Sequence, residues 1–469
     1  MTAALAACRA SETLSHGAAA GAVRGMVKLK RRAIDRCGTS GYNDRGSSPF
    51  AVLYSAPVRH IVLRPYLKQL LQGERDLLRS TLNTITYASR RPAGPVRGHV
   101  LLSYVLEPFL VREGGSVYRG HTNHAESLQI AQIFLDVGYA VDVFDYRNLD
   151  FLPPRRDYTF LVDKRHNLER LSPLMDGDCI KIMHIDSAHI TFQRYAEAKR
   201  LLDLKSRRGI ALPPFTTRRT DYGIEHADYG TSLGGEFTMA TYRYAGKPLY
   251  PVPVAAAYQY PWPEDKDFEG VRRRFLWFGG RALVLKGLDL VLEAFAGMPE
   301  YELVVCGPLD RSPEFQQAYY RELYETPNIQ TVGWVDVGSR EFTEIANRCL
   351  GLIFPSCSEG QAGGVVTCMH AGLIPLVSYE SGVDVEDFGE ILARSDLEEI
   401  GEVVRRASER PVEGSRRRAR AAWEYARAHH TPEAFARKYR ESIEDIMRRR
   451  GMEVVAGTGE GEKVRIHRQ

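Results

Sequence analysis

Residues 354–378 read FPSCSEGQAGGVVTCMHAGLIPLVS: an apolar strand end, an acidic glycine-rich turn, a helix start of small residues and a second apolar strand. A glycine-rich turn that opens a helix bares backbone N–H groups at the positive end of the helix dipole, where a phosphate-bearing ligand is favoured. Glu359 stands beside that anion site. Its carboxylate repels phosphate and is better suited to accept hydrogen bonds from sugar hydroxyls, so the parts together point to a sugar-phosphate ligand. The plainer reading is a strand, turn and helix of the kind found in many α/β proteins that bind nothing at that point.

A second element, upstream, weighs against the plainer reading. Residues 277–295, WFGGRALVLKGLDLVLEAF, end a strand at Gly279 and Gly280, present Arg281 and Lys286 from a loop, and start a helix with Leu288, Val291, Leu292 and Phe295 inward. Arginine offers a forked pair of donors and lysine a mobile point charge, a combination suited to a diphosphate; two solvated loop cations are the alternative. From Phe275 onward strands and helices alternate: FLWFG, the Leu288 helix, ELVVCG, a helix from about Glu314 to Tyr324, IQTVGWV, a helix over 340–347, GLIFPS, a helix over 365–371, and IPLVS. Such alternation predicts a parallel sheet covered on both faces, with ligands at the carboxyl ends of its strands. The basic loop and the acidic turn both fall at such ends.

Taken in order, FGGRALVLKGLDLVLEAF, VVCGP, VGWV, FPSCSEG and CMHAGLIPLVS resemble the nucleotide-sugar domain of family 4 glycosyltransferases of the GT-B fold. The resemblance implies an α/β chain of two Rossmann-like domains facing a cleft. It implies a sugar moved from a nucleotide-diphosphate sugar, the donor substrate, to a glycan, lipid-linked or small-molecule acceptor, with retention of configuration and with neither cofactor nor metal. Carried over residue by residue, Gly280, Arg281, Lys286, Gly360, Gly363 and Gly364 hold the donor diphosphate, and Glu359 contacts the transferred sugar as a catalytic group. The family places a second glutamate eight positions after the first, on the donor ribose. Here Thr367 stands there, and its hydroxyl still accepts one hydrogen bond. Trp334, just after Gly333, is the candidate near the base, with packing as the alternative. A nucleotide-sugar epimerase of the same architecture and a non-catalytic nucleotide-sugar-binding protein are the competing functions.

The amino-terminal half carries fewer marks. From His99, VLLSYV reads as a buried strand, followed by a long loop, a helix with Leu128, Ala131, Phe134 and Leu135 on one face, and the strand YAVDVFDY. This order resembles the opening of the acceptor domain in the same family, where a Gly-Gly loop faces the cleft; Gly114 and Gly115 match it, and the loop continues through SVYRGHTNH. Within it, His121 and His124 are candidates for contact across the cleft, and Asn123 is the expected helix cap. A metal held by HTNH is discounted, since no carboxylate or cysteine stands at ligand spacing. The strand CIKIMHID ends in His184 and Asp186. His184 has two readings, a hydrogen bond to the transferred sugar or acceptor and a histidine satisfied at a strand end.

The chain has 469 residues, 44% hydrophobic and 26% charged, enough for two domains with cores of their own. A net charge of +4 is too mild to imply nucleic acid. Seven cysteines show neither a disulfide framework nor zinc spacing, which points to a reducing compartment and a cytoplasmic protein, with peripheral association at the inner face of the membrane as an outside alternative. The expected organisation is a disordered extension over 1–60, a helical segment over 61–97 and an acceptor-side Rossmann-like domain over 98–258. A hinge over 259–274, a nucleotide-sugar domain over 275–430, a helix over 431–450 returning to the first domain and a loose tail over 451–469 complete it.

Overall fold

The computed structural model describes residues 85–110, 122–216, 222–454 and 465–468. Expectations for 1–60 and 61–84, and for Gly114, Gly115 and His121, lie outside these residues. Two sheets organise the chain. The first is eight-stranded, in the order β14-β1-β3-β2-β4-β5-β6-β7. Its strands are β1 (Ile85–Arg90), β2 (Gly98–Tyr104), β3 (Tyr139–Asp145), β4 (Phe160–Asp163), β5 (Ile180–Ile185), β6 (Tyr229–Leu233), β7 (Leu249–Val252) and β14 (Arg465–Arg468). From β3 to β7 all pairings are parallel, and the central β2 and β4 are apolar runs buried along most of their length, as a sheet covered on both faces requires. The second sheet is six-stranded and parallel, in the order β10-β9-β8-β11-β12-β13, from β8 (Arg274–Phe278), β9 (Glu302–Cys306), β10 (Ile329–Gly333), β11 (Gly351–Phe354), β12 (Ile374–Ser378) and β13 (Glu390–Leu392). The architecture is GT-B, two Rossmann-like lobes facing a cleft.

Strand periodicity divides the second lobe's core between the faces of its sheet. Trp277 packs with Leu288, Leu292 and Phe295 on one side, whereas its neighbour Leu276 packs with Val304, Leu352, Val366 and Met369 on the other. The helix Leu288–Ala296 follows the basic loop, and the helix Gly363–His370 follows the acidic turn. The stretch expected as one helix from Glu314 to Tyr324 breaks at Tyr319 into Pro313–Ala318 and Tyr320–Tyr324.

The last long helix, Pro432–Arg449, has Pro432 in its first turn and Thr431 as its cap, the hydroxyl accepting from the Ala434 N–H. Its Phe435, Tyr439, Ile443 and Ile446 lie in the first lobe's core with Val100, Val141 and Ile182.

Three local expectations are corrected. Residues 85–90, placed in the helical segment, form β1, paired antiparallel with β3. Residues 465–468, placed in the loose tail, form β14, antiparallel to β1, with the Tyr87 and His467 rings stacked 4.1 Å apart. In both cases the pairing partner lies far away in sequence, and it overrides the local pattern. Asn123 is the second residue of the helix Thr122–Asp136 rather than its cap.

Candidate active site

The basic loop and the acidic turn meet at the carboxyl ends of β8 and β11. The loop is folded back on itself, Lys286 N–H donating to the Ala282 carbonyl at 3.0 Å and the Trp277 indole N–H donating to the Lys286 carbonyl at 3.3 Å. Gly287 then turns the chain with φ +73°, and a Cβ there would stand 2.5 Å from the Pro355 carbonyl oxygen. Only glycine allows loop and turn to approach so closely. The Cys357 N–H donates to the Leu285 carbonyl at 2.8 Å, locking the two segments together.

In this frame the Lys286 ammonium pairs with the Glu359 carboxylate and sits 5.5 Å from the centre of the Phe354 ring. The Ser356 hydroxyl is 3.1 Å from the same Oε1 of Glu359, and 3.2 Å from the Leu285 carbonyl. Both partners of the pair are mostly shielded from solvent. One carboxylate oxygen is thus held by a cation and a hydroxyl, while Glu359 also lines the crevice between the lobes.

The helix Gly363–His370 opens next to this pair. The Val365 and Val366 N–H groups already donate to the Ala362 carbonyl, and Gly363 and Gly364 form the first turn, where a Cβ on Gly364 would stand 3.3 Å from Phe278. Thr367 is buried, its hydroxyl donating to the Gly363 carbonyl at 2.8 Å. Its proton is therefore committed, and its lone pairs remain for an incoming donor group. Gly360 stands at the contact between the lobes: its carbonyl accepts from the Thr238 hydroxyl at 2.7 Å, and a Cβ would lie 2.6 Å from the Asp186 carbonyl oxygen.

The facing wall is built from the ends of β4 and β5. Asp186 pairs with Lys164 at 2.9 Å and Arg165 at 3.0 Å. Burial opposes ionisation of Asp186, but the Arg165 and Lys164 charges outweigh it and hold the carboxyl well below the usual carboxylate range. The Lys164 ammonium also lies over the Tyr104 and Tyr146 rings, 4.9 and 5.0 Å from their centres. A crevice of about 690 Å³ runs between the walls, lined by Arg281, Glu359 and Arg311 on one side and Arg165, Asp186 and Phe215 on the other. The Arg281 guanidinium sits 5.6 Å from the Phe215 ring centre.

Other sequence-selected residues lie elsewhere. His184 is only 1% exposed; its Nδ1 is 2.9 Å from the Thr231 hydroxyl, and the Tyr104 and Tyr439 rings cover it at 5.4 and 5.6 Å. Burial lowers its pKa to about 3, so it is a neutral group inside the first lobe rather than one facing the crevice. Its neighbour Asp186 reaches the cleft instead. Trp334 is half-exposed beyond the end of β10 and is not among the residues lining the crevice. Gly280 has open space where a Cβ would stand. His124 lies in the first turn of the helix Thr122–Asp136, its pKa lowered by burial. Sequence reading passed over Lys164 and Arg165, although their signal was available: a strand, FLVD, running directly into two cations. Among the described residues no three His, Cys, Asp or Glu side chains gather as metal ligands, and no helix is long and apolar enough to cross a membrane.

No protein-family model and no curated protein sequence matches the chain. Solved structures do. Sucrose-phosphate synthase from Thermosynechococcus elongatus is similar with a TM-score of 0.53 at 13% identity, over 75% of this chain and 100% of that one. HepE from Anabaena in complex with UDP is similar with a TM-score of 0.49 at 12% identity, over 74% of this chain and 100% of that one. TarM from S. aureus, in complex with fondaparinux, alpha-GlcNAc-glycerol and UDP, gives 0.44 at 10% identity, over 68% of this chain and 58% of that one. At such identities the likeness is one of fold.

Proposed function

We propose that this GT-B chain is a glycosyltransferase of the family 4 type, which moves a sugar from a nucleotide-diphosphate sugar to an acceptor held across the crevice. The reading is carried by one observation: Lys286 and Glu359, 73 residues apart, meet beside the first turn of the Gly363 helix, while Arg281 and Glu359 line the same crevice. Arg281 and Lys286 neutralise the charge that grows on the leaving diphosphate, and the Gly363 and Gly364 amides add the positive end of the helix. Glu359 accepts hydrogen bonds from the transferred sugar, and Thr367 offers lone pairs towards the ribose. Closure of the two lobes on the donor would exclude the water that otherwise hydrolyses it. Retention of configuration, independence of metal and a cytoplasmic setting come with the family resemblance.

A thermal-shift series with nucleotide sugars and their parent diphosphates tests this reading, because a ligand that binds the folded state raises its stability with concentration. A nucleotide sugar is expected to raise Tm in the wild type, and Arg281→Ala and Glu359→Ala are expected to abolish or sharply reduce both the shift and turnover to a glycoside. Unchanged shifts and turnover in both variants would overturn the assignment. Product analysis then separates a new glycoside from an epimerised donor or from binding without turnover.

A further inference from the structure

The Glu359 turn is held from both lobes. Within its own lobe the Glu359 N–H donates to the Glu380 carbonyl at 3.0 Å and the Ala362 N–H to the Ser381 carbonyl at 2.9 Å; from the first lobe the Ala188 N–H donates to the Glu359 carbonyl at 2.9 Å and the Thr238 hydroxyl to the Gly360 carbonyl at 2.7 Å. A further grip comes from the helix Ile190–Arg208. It is capped in the first lobe by His189, whose ring accepts from the Thr191 N–H at 3.3 Å, yet its carboxyl half is sunk in the second. Leu204 is fully buried in the second lobe's core beside Leu288 and Leu292. Arg207 pairs with Asp289 at 2.9 Å and Glu293 at 3.1 Å, and Arg208 pairs with Glu322 at 2.6 Å.

Arg200 lies between cap and anchor, 8% exposed, and both of its terminal nitrogens donate to the Pro355 carbonyl at 3.1 Å. That oxygen is the one against which Gly287 turns the Lys286 loop. The next residue, Ser356, touches Glu359 Oε1. A buried guanidinium that spends two donors on one main-chain oxygen fixes that oxygen strongly, because each lost hydrogen bond leaves a desolvated group behind. We propose that Arg200 is a positioning residue: through Pro355 and Ser356 it sets the Glu359 carboxylate, so that the sugar-binding half of the site is assembled only when the first-lobe helix is seated in the second lobe. The inference rests on the nucleotide-sugar reading above. Diphosphate binding is predicted to depend on Arg200 less than sugar binding does, since Arg200 hydrogen-bonds the Pro355 carbonyl and not Arg281, Lys286 or the Gly363 helix.

The experiment is a titration of wild type, Arg200→Ala and Arg200→Lys with UDP-glucose against UDP, and with GDP-mannose against GDP. The wild type is expected to prefer one nucleotide sugar to its diphosphate. In Arg200→Ala that preference should fall about fivefold, the worth of one lost hydrogen bond at the sugar, while affinity for the diphosphate stays within about twofold. Arg200→Lys, which keeps the charge but has a single donating nitrogen, should retain part of the preference; should the Ala variant not fold, the Lys variant carries the same comparison. An intact preference in the variants overturns the role of Arg200 alone, as does an equal loss for sugar nucleotide and diphosphate, which marks a merely structural part. A wild type that binds neither pair overturns the nucleotide-sugar reading and this inference with it.

Discussion

At the scale of single residues, Lys286 and Glu359 satisfy one another, so under the proposed function a donor diphosphate would have to share or take the ammonium from the carboxylate. Removing the cation leaves Glu359 largely shielded and without its partner. Lys286→Ala is expected to lower stability by about 1–3 kcal/mol in chemical denaturation and to weaken the diphosphate more than tenfold in titration. A variant as stable and as tightly binding as the wild type would contradict the pairing. The placement of Arg281, Lys286 and Glu359 is legible in the sequence because each stands next to a glycine at the junction of a strand and a helix, and their side-chain types at those positions carry the proposed chemistry. That of Arg200 is not, since a guanidinium in mid-helix looks like any solvated one until the carbonyl facing it is known. Of the two readings that His184 allows, the structure fits a histidine bonded inside its lobe: Nδ1 meets the Thr231 hydroxyl, and Tyr439, which covers the ring, is delivered from the far end of the chain.

Among the elements, the strand and helix alternation from β8 to β12 could be read directly, because β8 to β11 are short runs closed by glycine or proline and a helical stretch follows each of them. The edge strands β1 and β14 escaped, since an edge strand is defined by what it pairs with. The helix Ile190–Arg208 also gave little sign of belonging to two lobes, its apolar residues being few and its polar ones many. Leu204 and Leu202 separate its two faces. Leu204→Ala is expected to cost about 2–5 kcal/mol in urea unfolding, as a core truncation does, whereas Leu202→Ala, at a position 67% exposed, is expected to stay within about 0.5 kcal/mol. Equal costs would mean that the helix is not seated in the second core.

Across the whole molecule, two histidines join the segment that leaves β7 for the second lobe to the one that returns from it into the helix Pro432–Arg449. The ring of His430 is 3.0 Å from the Val254 carbonyl, its own carbonyl accepts from the Ala256 N–H at 3.0 Å, and His370 Nε2 is 3.0 Å from that same carbonyl. Burial lowers both pKa values to about 4, against an ordinary 6.5, more than the backbone hydrogen bonds raise them. Between those values the unfolded chain binds more protons than the folded one, so stability rises with pH there and is progressively lost as pH falls from about 6.5 towards 4. Melting temperature is expected to drop across that window, and His370→Gln with His430→Gln to flatten the drop. An undiminished slope in the double variant would exclude the junction as its source.

The antiparallel pairing of β14 with β1 also bears on how copies of the protein meet one another. A sheet margin with unused main-chain donors and acceptors is a standing invitation to a foreign strand. By occupying that margin, the carboxyl-terminal strand moves the invitation outward onto itself, a four-residue segment, RIHR, too short and too cationic to suit a second copy of its own kind.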